Sequence, residues 1–564
     1  MKKLAIAVVS LCVVVLSLVL NYWIYIPAIL DFFKFANVEK NRDVVWKRGE
    51  KVDSDLPNIV FILADDLGFN DITAYGGGFL NGSVKTPNID SIASDGALFR
   101  QAYAGHATCA PSRASLLTGK YPTTMGFEFT PVTGPGAYII GNFFRNKNMP
   151  GIYHSHLASE GLRDDAISVQ SFETTLADIL SNNSDRKYKS LFLGKWHNGN
   201  TPDFLPDLRG FDESLAFNII SRYLPSGHPQ AVDCPLDDIL DRFLRATVRY
   251  QVSKDGGPYF APRGYLTDYL SQEAAAAVAS NRHRPFFMML SFTAVHTPLQ
   301  ALRSDYDKLS HIEDHCARVY AAMLVALDRG VGTVLQALEE HNLADNTLVI
   351  FTSDNGAPNY INQAGVNFPF RGWKGTLFEG GLRVPLLMKW PRQLQAGVVV
   401  DEVVSHVDIF PTVATAASAP YFHHIDGHDL MPVVRKAGVR QDTEAERWEG
   451  PSALQLREEN NHETLFWRSG HYMALRHKHW KIQQSSNPRK TWLFDLKQDP
   501  GERNNLIDMS QHEDVRTDMV ALMRHVNATQ RTPRWPALSE TPILLDKFFN
   551  DPYEEGDEYI YWPN

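Results

Sequence analysis

Short, almost uniformly apolar runs recur along the chain, and each ends at polar side chains. Residues 58–64 are followed by an Asp-Asp pair, and residues 347–351 are followed by a Ser-Asp-Asn sequence. Runs of this length that are rich in β-branched residues are typical of strands buried on both faces of a parallel sheet. The pattern predicts an α/β domain whose strands deliver polar groups to one edge of the sheet.

Two further apolar runs and one long helix extend this pattern. Residues 191–195 lead into Lys-Trp-His, and residues 285–292 lead into Val-His-Thr-Pro. From Asp314 to His341, apolar residues recur every three or four positions, which predicts one amphipathic helix. Helices of this kind cover the faces of a parallel sheet, so the middle of the chain is expected to form one large domain.

The pattern changes after about residue 435. A polar stretch at 435–449 is typical of a linker, short strands with alternating aromatic residues follow at 463–483 and 491–496, and a helical pattern covers about 510–527. The tail is acidic and aromatic and is expected to lie loosely over the surface. The predicted parts are an N-terminal apolar segment, a linker, a catalytic domain, a C-terminal subdomain and the tail, at 1–30, 31–56, 57–434, 435–545 and 546–564.

The polar residues at the strand ends are candidate metal ligands. Asp65 and Asp66 are adjacent like charges, which is unfavourable unless a cation separates them, and Ca²⁺ or Mg²⁺ prefers such oxygen ligands. An Asp pair at this place also makes a good helix cap. Because Asp354 and Asn355 end the second run in the same way, the two pairs can meet at one cation.

Residues 109–120, Cys-Ala-Pro-Ser-Arg-Ala-Ser-Leu-Leu-Thr-Gly-Lys, are the most distinctive stretch. Pro111 suits a first helical turn and Gly119 a helix end, which places Cys109 at a helix N-terminus. The free N–H groups there favour an anion, either a thiolate or a bound oxyanion. Arg113, about one turn further on, adds a planar fork of donors. A buried structural cysteine before an ordinary helix is the alternative interpretation.

This stretch resembles the sulfatase signature C-x-P-S-R-x-x-x-L-x-T-G, and every fixed position of that signature is filled. Asn198 stands where the family more often has an apolar residue. The resemblance extends over roughly residues 57–506. Further blocks similar to the family's lie, in the family's order, at 58–66, 194–199, 295–298, 353–356, 371–385, 405–412 and 493–506.

The resemblance implies a type I, formylglycine-dependent sulfatase of the arylsulfatase-like kind. The implied fold is alkaline-phosphatase-like, with a mostly parallel central sheet flanked by helices and a smaller C-terminal domain with a short antiparallel sheet and a helix. It also implies that a formylglycine-generating enzyme oxidises Cys109 to Cα-formylglycine (3-oxoalanine). One calcium ion is then expected, with the ligands Asp65, Asp66, Cys109, Asp354 and Asn355.

The resemblance also implies roles in catalysis. A sulfate monoester is a poor electrophile until its oxygens are neutralised, which Ca²⁺, Arg113, Lys195 and Lys374 would achieve. One hydroxyl of hydrated formylglycine would attack sulfur, and the other would expel sulfate. His296 and Lys374 are expected to protonate the leaving oxygen, and His197 to act as the base. The expected substrate-binding residues are Lys195, His296, Lys374 and Ser221.

Composition and loop content narrow the partners. The 564 residues carry a net charge of −10 without an offsetting basic run, which argues against a nucleic-acid partner. Long loops rich in Gly, Pro and aromatic residues favour a cleft for sulfated carbohydrate over one for a small aryl sulfate. Two alternatives stay open: a phosphodiester or phosphonate monoester hydrolase on the same fold, and an inactive, membrane-tethered binder of sulfated glycans.

The N-terminus bears on localisation. An apolar stretch at 4–30 follows two lysines, is longer than a typical cleaved signal and lacks a small-x-small cleavage site, which favours a membrane anchor. Basic residues after the stretch do not support an outward-facing body, but long domains translocate largely regardless of charge. The resemblance implies an extracytoplasmic enzyme, in the periplasm, the secretory pathway or at the cell surface.

Two of the four cysteines are left without an expected role. Cys12 lies in the apolar stretch and Cys109 in the signature, so Cys234 and Cys316 remain. Their spacing does not require a disulfide, and pairing and two free thiols both stay open.

Overall fold

The structure is a computed structural model. It describes residues 40–131, 137–138, 141, 145–146, 149–158, 167–181, 188–199, 201–236, 239–421, 424–443 and 462–564. The expected membrane anchor at 4–30, with Cys12, lies outside the described residues.

Ten strands form one sheet at the centre of the large domain. In chain order they are β1 (Asn58–Ala64), β2 (Ala97–Tyr103), β3 (Lys189–Lys195), β4 (Glu213–Phe217), β5 (Val252–Lys254), β6 (Tyr259–Phe260), β7 (Phe286–Ser291), β8 (Thr347–Ser353), β9 (Leu386–Lys389) and β10 (Val398–Ser405). Their spatial order is β6-β5-β4-β3-β7-β1-β8-β9-β2-β10. The block β4-β3-β7-β1-β8 is parallel, which confirms the predicted fold class.

The central strands form where the sequence is uniformly apolar. Every residue of β1 and β8 is buried, and β1 pairs in parallel with β7 on one side and β8 on the other. Such strands satisfy their backbone groups within the sheet and pack side chains on both faces, so no position favours a polar residue. Polar residues resume only where the strands end.

Helices cover both faces of the sheet. The longest, His315–Glu340, begins after Asp314, whose carboxylate accepts from the Ala317 N–H at 2.7 Å. Among the described residues it is the helix long and apolar enough to span a membrane, yet 67% of its apolar window is buried inside the protein, as in a core helix. The α-helices described are Phe79–Gly82, Pro87–Ser94, Cys109–Thr118, Pro122–Met125, Ser155–Ala158, Leu176–Ser181, Ile239–Thr247, Leu266–Asn281, Arg303–Lys308, His315–Glu340, Glu379–Leu382, Ile409–Ala416, Met431–Thr443 and Glu513–Thr529.

A smaller antiparallel sheet follows in the C-terminal part, as predicted. Its strands are β11 (Thr464–Ser469), β12 (Tyr472–His477), β13 (Trp480–Ser486) and β14 (Arg489–Asp495), in that spatial order. The helix Glu513–Thr529 buries Met519 and Met523 in one apolar cluster with Leu475 and Ile482 of the sheet. This apolar cluster is separate from the two large clusters that flank the ten-stranded sheet.

Two stretches expected to be linkers differ from that expectation. The helix Met431–Thr443 crosses the predicted boundary at 434 and occupies the start of the 435–449 stretch, because Val434 and Ala437 bury one face of it. In the 31–56 linker, Trp46 is buried, and its Nε1 donates to Glu273 at 2.9 Å. The boundaries of the predicted parts otherwise stay predictions.

The acidic tail does not lie loosely over the surface. Tyr559–Pro563 forms a strand antiparallel to Ser539–Leu544, which also pairs with the two-residue strand Ile152–Tyr153. Ile560 is buried while its neighbours are half exposed, so an alternating pattern hidden among aromatic residues specifies the strand.

Cys234 and Cys316 form a disulfide, with Cα atoms 5.3 Å apart. It joins the loop after the short strand Ala231–Asp233 to the start of the helix His315–Glu340. The pairing that the sequence left open is thus decided by the fold.

Candidate active site

The carboxyl ends of the parallel strands converge on one site. β1, β3 and β8 end there, and the loop after β7 and the segment 371–385 reach the same place. Because parallel neighbours end at one edge of a sheet, side chains distant in sequence become neighbours. The side chains brought together are Asp65, Asp66, Lys195, His296, Asp354, Asn355 and Lys374.

Cys109 enters this site at the start of the helix Cys109–Thr118. Every residue of the helix is buried, and Gly119 ends it with a left-handed φ of 67°. The Cys109 Sγ lies 3.5 Å from Asp65 Oδ1 and 3.6 Å from Asp66 Oδ1. The helix therefore presents the sulfur directly to the carboxylates.

Three buried carboxylates face three buried or nearly buried cations. The ion pairs and their N–O distances are Arg113–Asp354 at 2.8 Å, Lys195–Asp65 at 2.6 Å and Lys374–Asp66 at 2.7 Å. Since these side-chain charges balance, a divalent cation added to the cluster would make it net positive. A positive, desolvated site attracts an anionic substrate.

The cations keep the carboxylates ionised. Burial acts to raise the pKa of Asp66, but Lys374 and then His296 outweigh it, and the pKa lies below its ordinary value. The pKa of Asp354 is also lowered, because Arg113 outweighs the effect of burial. Conversely, Asp66 raises the pKa of Lys374 well above its ordinary value despite burial.

The oxygen atoms of the cluster fit a hard cation. Asn355 Nδ2 donates to Asp66 Oδ1 at 2.8 Å, whereas the buried Asn355 Oδ1 has no hydrogen-bond partner among the described residues. Ligand atoms of Asp65, Asp66, Cys109 and His296 lie within 4.8 Å of one another. An unsatisfied buried carbonyl oxygen beside ionised carboxylates is the type of donor set that Ca²⁺ takes.

The two histidines of the site are held differently. His197 is buried, and neither ring nitrogen has a hydrogen-bond partner within the described part of the chain. Burial, followed by the charge of Lys195, holds its pKa well below the ordinary value, so the ring is neutral and can accept a proton. His296 Nδ1 donates to the Thr297 carbonyl at 2.6 Å, which leaves Nε2 3.5 Å from Asp66 Oδ2. Burial lowers the pKa of His296 as well.

The structure adds a tyrosine that sequence analysis missed. The Tyr360 hydroxyl donates to Asp66 Oδ2 at 3.1 Å. Tyr360 lies in the short 3₁₀-helix Asn359–Ile361, after the Ser-Asp-Asn-Gly block. No motif or periodicity marks this position, because only the path of the loop brings the ring back over the site.

Two supporting residues were also missed. Ser291, the last residue of β7, accepts from Arg113 Nη1 at 2.6 Å and donates to the Lys195 carbonyl at 2.7 Å. His406 Nδ1 lies 3.0 Å from the Ser112 hydroxyl and ties the Cys109 helix to the sheet. His406 falls within the family-like block at 405–412, so a signal for it was present.

Ser221, the remaining expected substrate contact, is placed otherwise. It is buried, its hydroxyl donates to the Arg249 carbonyl at 3.1 Å, and it accepts from the Gln251 N–H at 3.1 Å. Among the described residues no hydrogen bond joins Ser221 to the cluster. Its role as a substrate contact stays a prediction.

Comparison with known families and proteins agrees with this site. The sequence profile of the family described as Sulfatase matches residues 57–419, and the profile described as "N-sulphoglucosamine sulphohydrolase, C-terminal" matches 371–529. Steryl-sulfatase of Mus musculus is 33% identical over 472 residues, which is 71% of this chain and 70% of the relative. N-acetylgalactosamine-6-sulfatase of Canis lupus familiaris is 31% identical over 385 residues, 67% of this chain and 66% of the relative.

Solved structures agree as well. The crystal structure of Ps i-CgsB is 31% identical with a TM-score of 0.66, and covers 85% of this chain and 95% of its own. Its complex with k-i-k-neocarrahexaose is 30% identical with a TM-score of 0.65, at the same coverage. The resemblance found in the sequence is thereby confirmed: the chain belongs to the sulfatase family and is a hydrolase of sulfate esters.

Proposed function

We propose that the protein is a calcium- and formylglycine-dependent sulfatase that acts on carbohydrates. The observation that carries this proposal is the position of Cys109 at the start of a buried helix, with Sγ 3.5 and 3.6 Å from Asp65 and Asp66. Burial, reinforced by Asp354, raises the pKa of this thiol well above its ordinary value. An unmodified thiol would therefore stay protonated and be a weak nucleophile, which supports its oxidation to formylglycine.

The metal ligands are proposed from the same cluster. Asp65, Asp66, Asp354 and Asn355, with the modified Cys109, would hold one calcium ion, and the unsatisfied Asn355 Oδ1 supports this set. Calcium would supply positive charge next to the sulfate oxygens, and hydrated formylglycine would supply the hydroxyl that reacts with sulfur.

The other site residues would bind the sulfate and move protons. Arg113, Lys195 and Lys374 would neutralise charge on the sulfate group as the ester bond lengthens. Lys374 keeps its proton because Asp66 raises its pKa, and it can donate that proton to the leaving oxygen. His296 presents Nε2 on the side of Asp66 and is the second candidate for this step. His197, neutral and buried, would accept the proton when the intermediate breaks down.

The proposed substrate is a sulfated carbohydrate. A relative named N-acetylgalactosamine-6-sulfatase and a solved relative in complex with k-i-k-neocarrahexaose support this choice, each at 30% identity or more. Steryl-sulfatase is named among the relatives too, so an aryl or steroid sulfate is the competing substrate. Nothing in the site favours a phosphodiester or an inactive binder, since the proposed ligands and bases are all in place.

The mass of the tryptic peptide that contains Cys109 tests the nucleophile. After co-expression with a formylglycine-generating enzyme, the peptide should be about 18 Da lighter than the cysteine form, or appear as the aldehyde hydrate. The same peptide from cells without that enzyme is the control. A fully unmodified thiol after co-expression, in protein that still hydrolyses sulfate esters, would contradict the proposal.

A substrate panel tests the specificity. Nitrophenyl sulfate, N-acetylgalactosamine 6-sulfate, estrone sulfate and bis-nitrophenyl phosphate represent the aryl, sugar, steroid and phosphodiester classes. We expect kcat/KM to be highest for the sugar sulfate class. A preference for estrone sulfate would overturn the carbohydrate assignment but keep the sulfatase mechanism.

We further propose that the protein is exported and anchored by residues 4–30. The disulfide between Cys234 and Cys316 supports an oxidising compartment, since disulfides persist outside the cytosol. N-terminal sequencing of the purified protein tests the anchor. A start after about residue 20, with the protein released without detergent, would show a cleaved signal instead.

A further inference from the structure

A second cavity lies beside the active site, between the loop 364–373 and the C-terminal stretch 545–551. Its volume is about 340 Å³, within the range of small-molecule sites. Trp373 lines this cavity and directly precedes Lys374, whose Nζ lies 2.7 Å from Asp66. Because consecutive Cα atoms are only about 3.8 Å apart, the cavity is a near neighbour of the substrate position.

Aromatic rings form much of the cavity wall. Phe368, Trp373 and Phe548 all line it, and the ring centroids of Trp373 and Phe548 are 5.8 Å apart. Phe368 is 46% exposed although it is a large apolar residue. The buried Trp373 Nε1 has no hydrogen-bond partner among the described residues. Flat rings together with unspent donors suit a ligand with one apolar face and several hydroxyls.

A fixed acceptor and a largely unspent donor complete the wall. Asp546 is held by Arg371, with Nε to Oδ1 at 2.8 Å, yet its side chain is 46% exposed. Arg503 is 56% exposed and makes one long contact, 3.5 Å, to the same carboxylate within the described residues. Asp546 can accept from sugar hydroxyls, and Arg503 can donate to ring or hydroxyl oxygens.

The charges of this cavity favour a weakly charged ligand over a polyanion. Arg371 is neutralised by Asp546 and also by Glu558, at 2.6 Å. Lys547 is turned toward Glu554 and Asp557 at 2.9 and 2.8 Å. Arg503 is thus the lining cation with donors left over, in contrast to the cationic active site.

We propose that this cavity binds a second sugar unit of the same carbohydrate chain whose sulfated unit sits at Cys109. The sugar would stack on Phe548 and Trp373 and bond through its hydroxyls to Asp546 and Arg503. A further cavity of about 250 Å³ shares Arg371, Asp546 and Lys547 with it and continues the groove away from Lys374. This inference rests on the proposed function and makes the enzyme selective for oligosaccharides.

The test compares a sugar sulfate with the oligosaccharide that carries it. The probes are N-acetylgalactosamine 6-sulfate and galactose 4-sulfate, the chondroitin and carrageenan trisaccharides that end in these units, and nitrophenyl sulfate as a reference. In the wild type, kcat/KM should be at least about tenfold higher for a trisaccharide than for its monosaccharide. In Arg503→Ala and Phe548→Ala this ratio should fall about tenfold, as expected for one lost hydrogen bond or stacking contact.

Matched variants separate binding from folding. Phe548→Leu keeps apolar volume without a flat ring, so the ratio should fall while the melting temperature stays near the wild-type value. Arg392→Ala removes an exposed arginine paired with Asp345 at 3.0 Å, beyond the opposite ends of the strands, and should keep the wild-type ratio.

The outcomes distinguish the two proposals. Equal kcat/KM for monosaccharides and trisaccharides, or a ratio unchanged in both cavity variants, would overturn the second sugar site while leaving the sulfatase mechanism intact. Turnover of nitrophenyl sulfate alone would overturn the site and the carbohydrate assignment together. Failure on all sulfate esters, in protein whose peptide mass shows an unmodified Cys109, would instead count against the proposed nucleophile.

Discussion

Two clusters of buried charge meet the segment 371–385, and they are built to opposite ends. Lys374 reaches into the active site, whereas Glu379 and Arg383 face the C-terminal sheet. We call the second group the junction cluster. Its members are Tyr103, Glu379, Arg383, Arg476, Lys481 and Glu502.

The junction cluster uses up its carboxylate oxygens. Glu379 accepts from Lys481 at 2.8 Å and from the Tyr103 hydroxyl at 2.8 Å. Glu502 accepts from Gln483 at 3.0 Å and from the main-chain N–H of Glu379. All four carboxylate oxygens therefore have protein donors, and the cluster ties the large domain to the C-terminal sheet.

The active site leaves bonding capacity unused. Asn355 Oδ1 and both nitrogens of His197 are buried without hydrogen-bond partners among the described residues. Since such groups are costly in a folded protein, they are retained where a ligand will satisfy them. Buried charge alone does not mark a functional site, whereas unspent donors and acceptors at the ends of parallel strands do.

Removing Cys109 should give the largest effect and should touch function alone. In Cys109→Ala, turnover of nitrophenyl sulfate should fall by at least about a thousandfold, because the nucleophile is lost. The melting temperature should stay within a few degrees of the wild-type value, since the thiol makes no strong bond. Wild-type-like rates in the purified variant would contradict the site assignment.

Breaking the junction cluster should affect stability instead. Lys481→Met leaves Glu379 and Glu502 buried without their shared cation, which should lower the free energy of unfolding by about 3–5 kcal/mol in denaturant titrations. Lys478→Met is the control, because Lys478 is 58% exposed and only 3.5 Å from Glu463. Its effect should stay within about 0.5 kcal/mol. Equal effects of the two variants would refute the distinction drawn here.

Calcium removal should act on the active site without disturbing the junction. At a free calcium concentration about 100-fold above its Kd, binding should stabilise the folded protein by about 2.7 kcal/mol, and a chelator should remove this. Thermal melts with and without chelator measure the shift. Lys481→Met should show the same calcium-dependent shift, whereas Asp354→Asn should need more calcium and lose activity with it. A wild type indifferent to chelation would argue against the metal.

The smallest expected effect is a pH dependence confined to the junction. Burial raises the pKa of Glu502 from 4.5 to about 7, despite the nearby Lys481. A carboxyl group whose pKa is raised on folding contributes stability that is present below about pH 4.5 and is lost as the pH rises through 7. The slope should reach about 1.4 kcal/mol per pH unit at most.

Glu502→Gln removes this titration. Denaturant titrations of the wild type between pH 5 and pH 8 should therefore show a fall in stability that the variant lacks. Glu379 titrates on the acid side, because Lys481 and then Arg383 lower its pKa to about 2 against the effect of burial. Parallel pH profiles for wild type and variant would show that Glu502 is ionised throughout.

The elements that the sequence predicted are those with one dominant local pattern. Uniformly apolar runs gave β1 and β8, and a steady spacing of three to four residues gave the helix His315–Glu340. The expected charged and metal-ligand residues of the cluster also meet in space, because strand ends and a helix start fix where they lie. Local sequence sets these features since each depends on neighbours within one turn or one strand.

Features that depend on two distant segments were not predictable in this way. The strand Tyr559–Pro563 needs Ser539–Leu544 as its partner, and the Cys234–Cys316 pairing spans 82 residues. Tyr360 contacts Asp66 only because a loop folds back over the site.

The sequence by itself determined the family, the parallel sheet and the chemistry at its edge, because motifs and periodicity are local. The tertiary structure alone decided which charges are closed off and which stay available. Lys374 and Glu379 lie five positions apart in one segment, yet one serves an open site and the other a closed junction. That difference arises from what packs against each side chain, and packing partners far along the chain are not encoded in the local pattern.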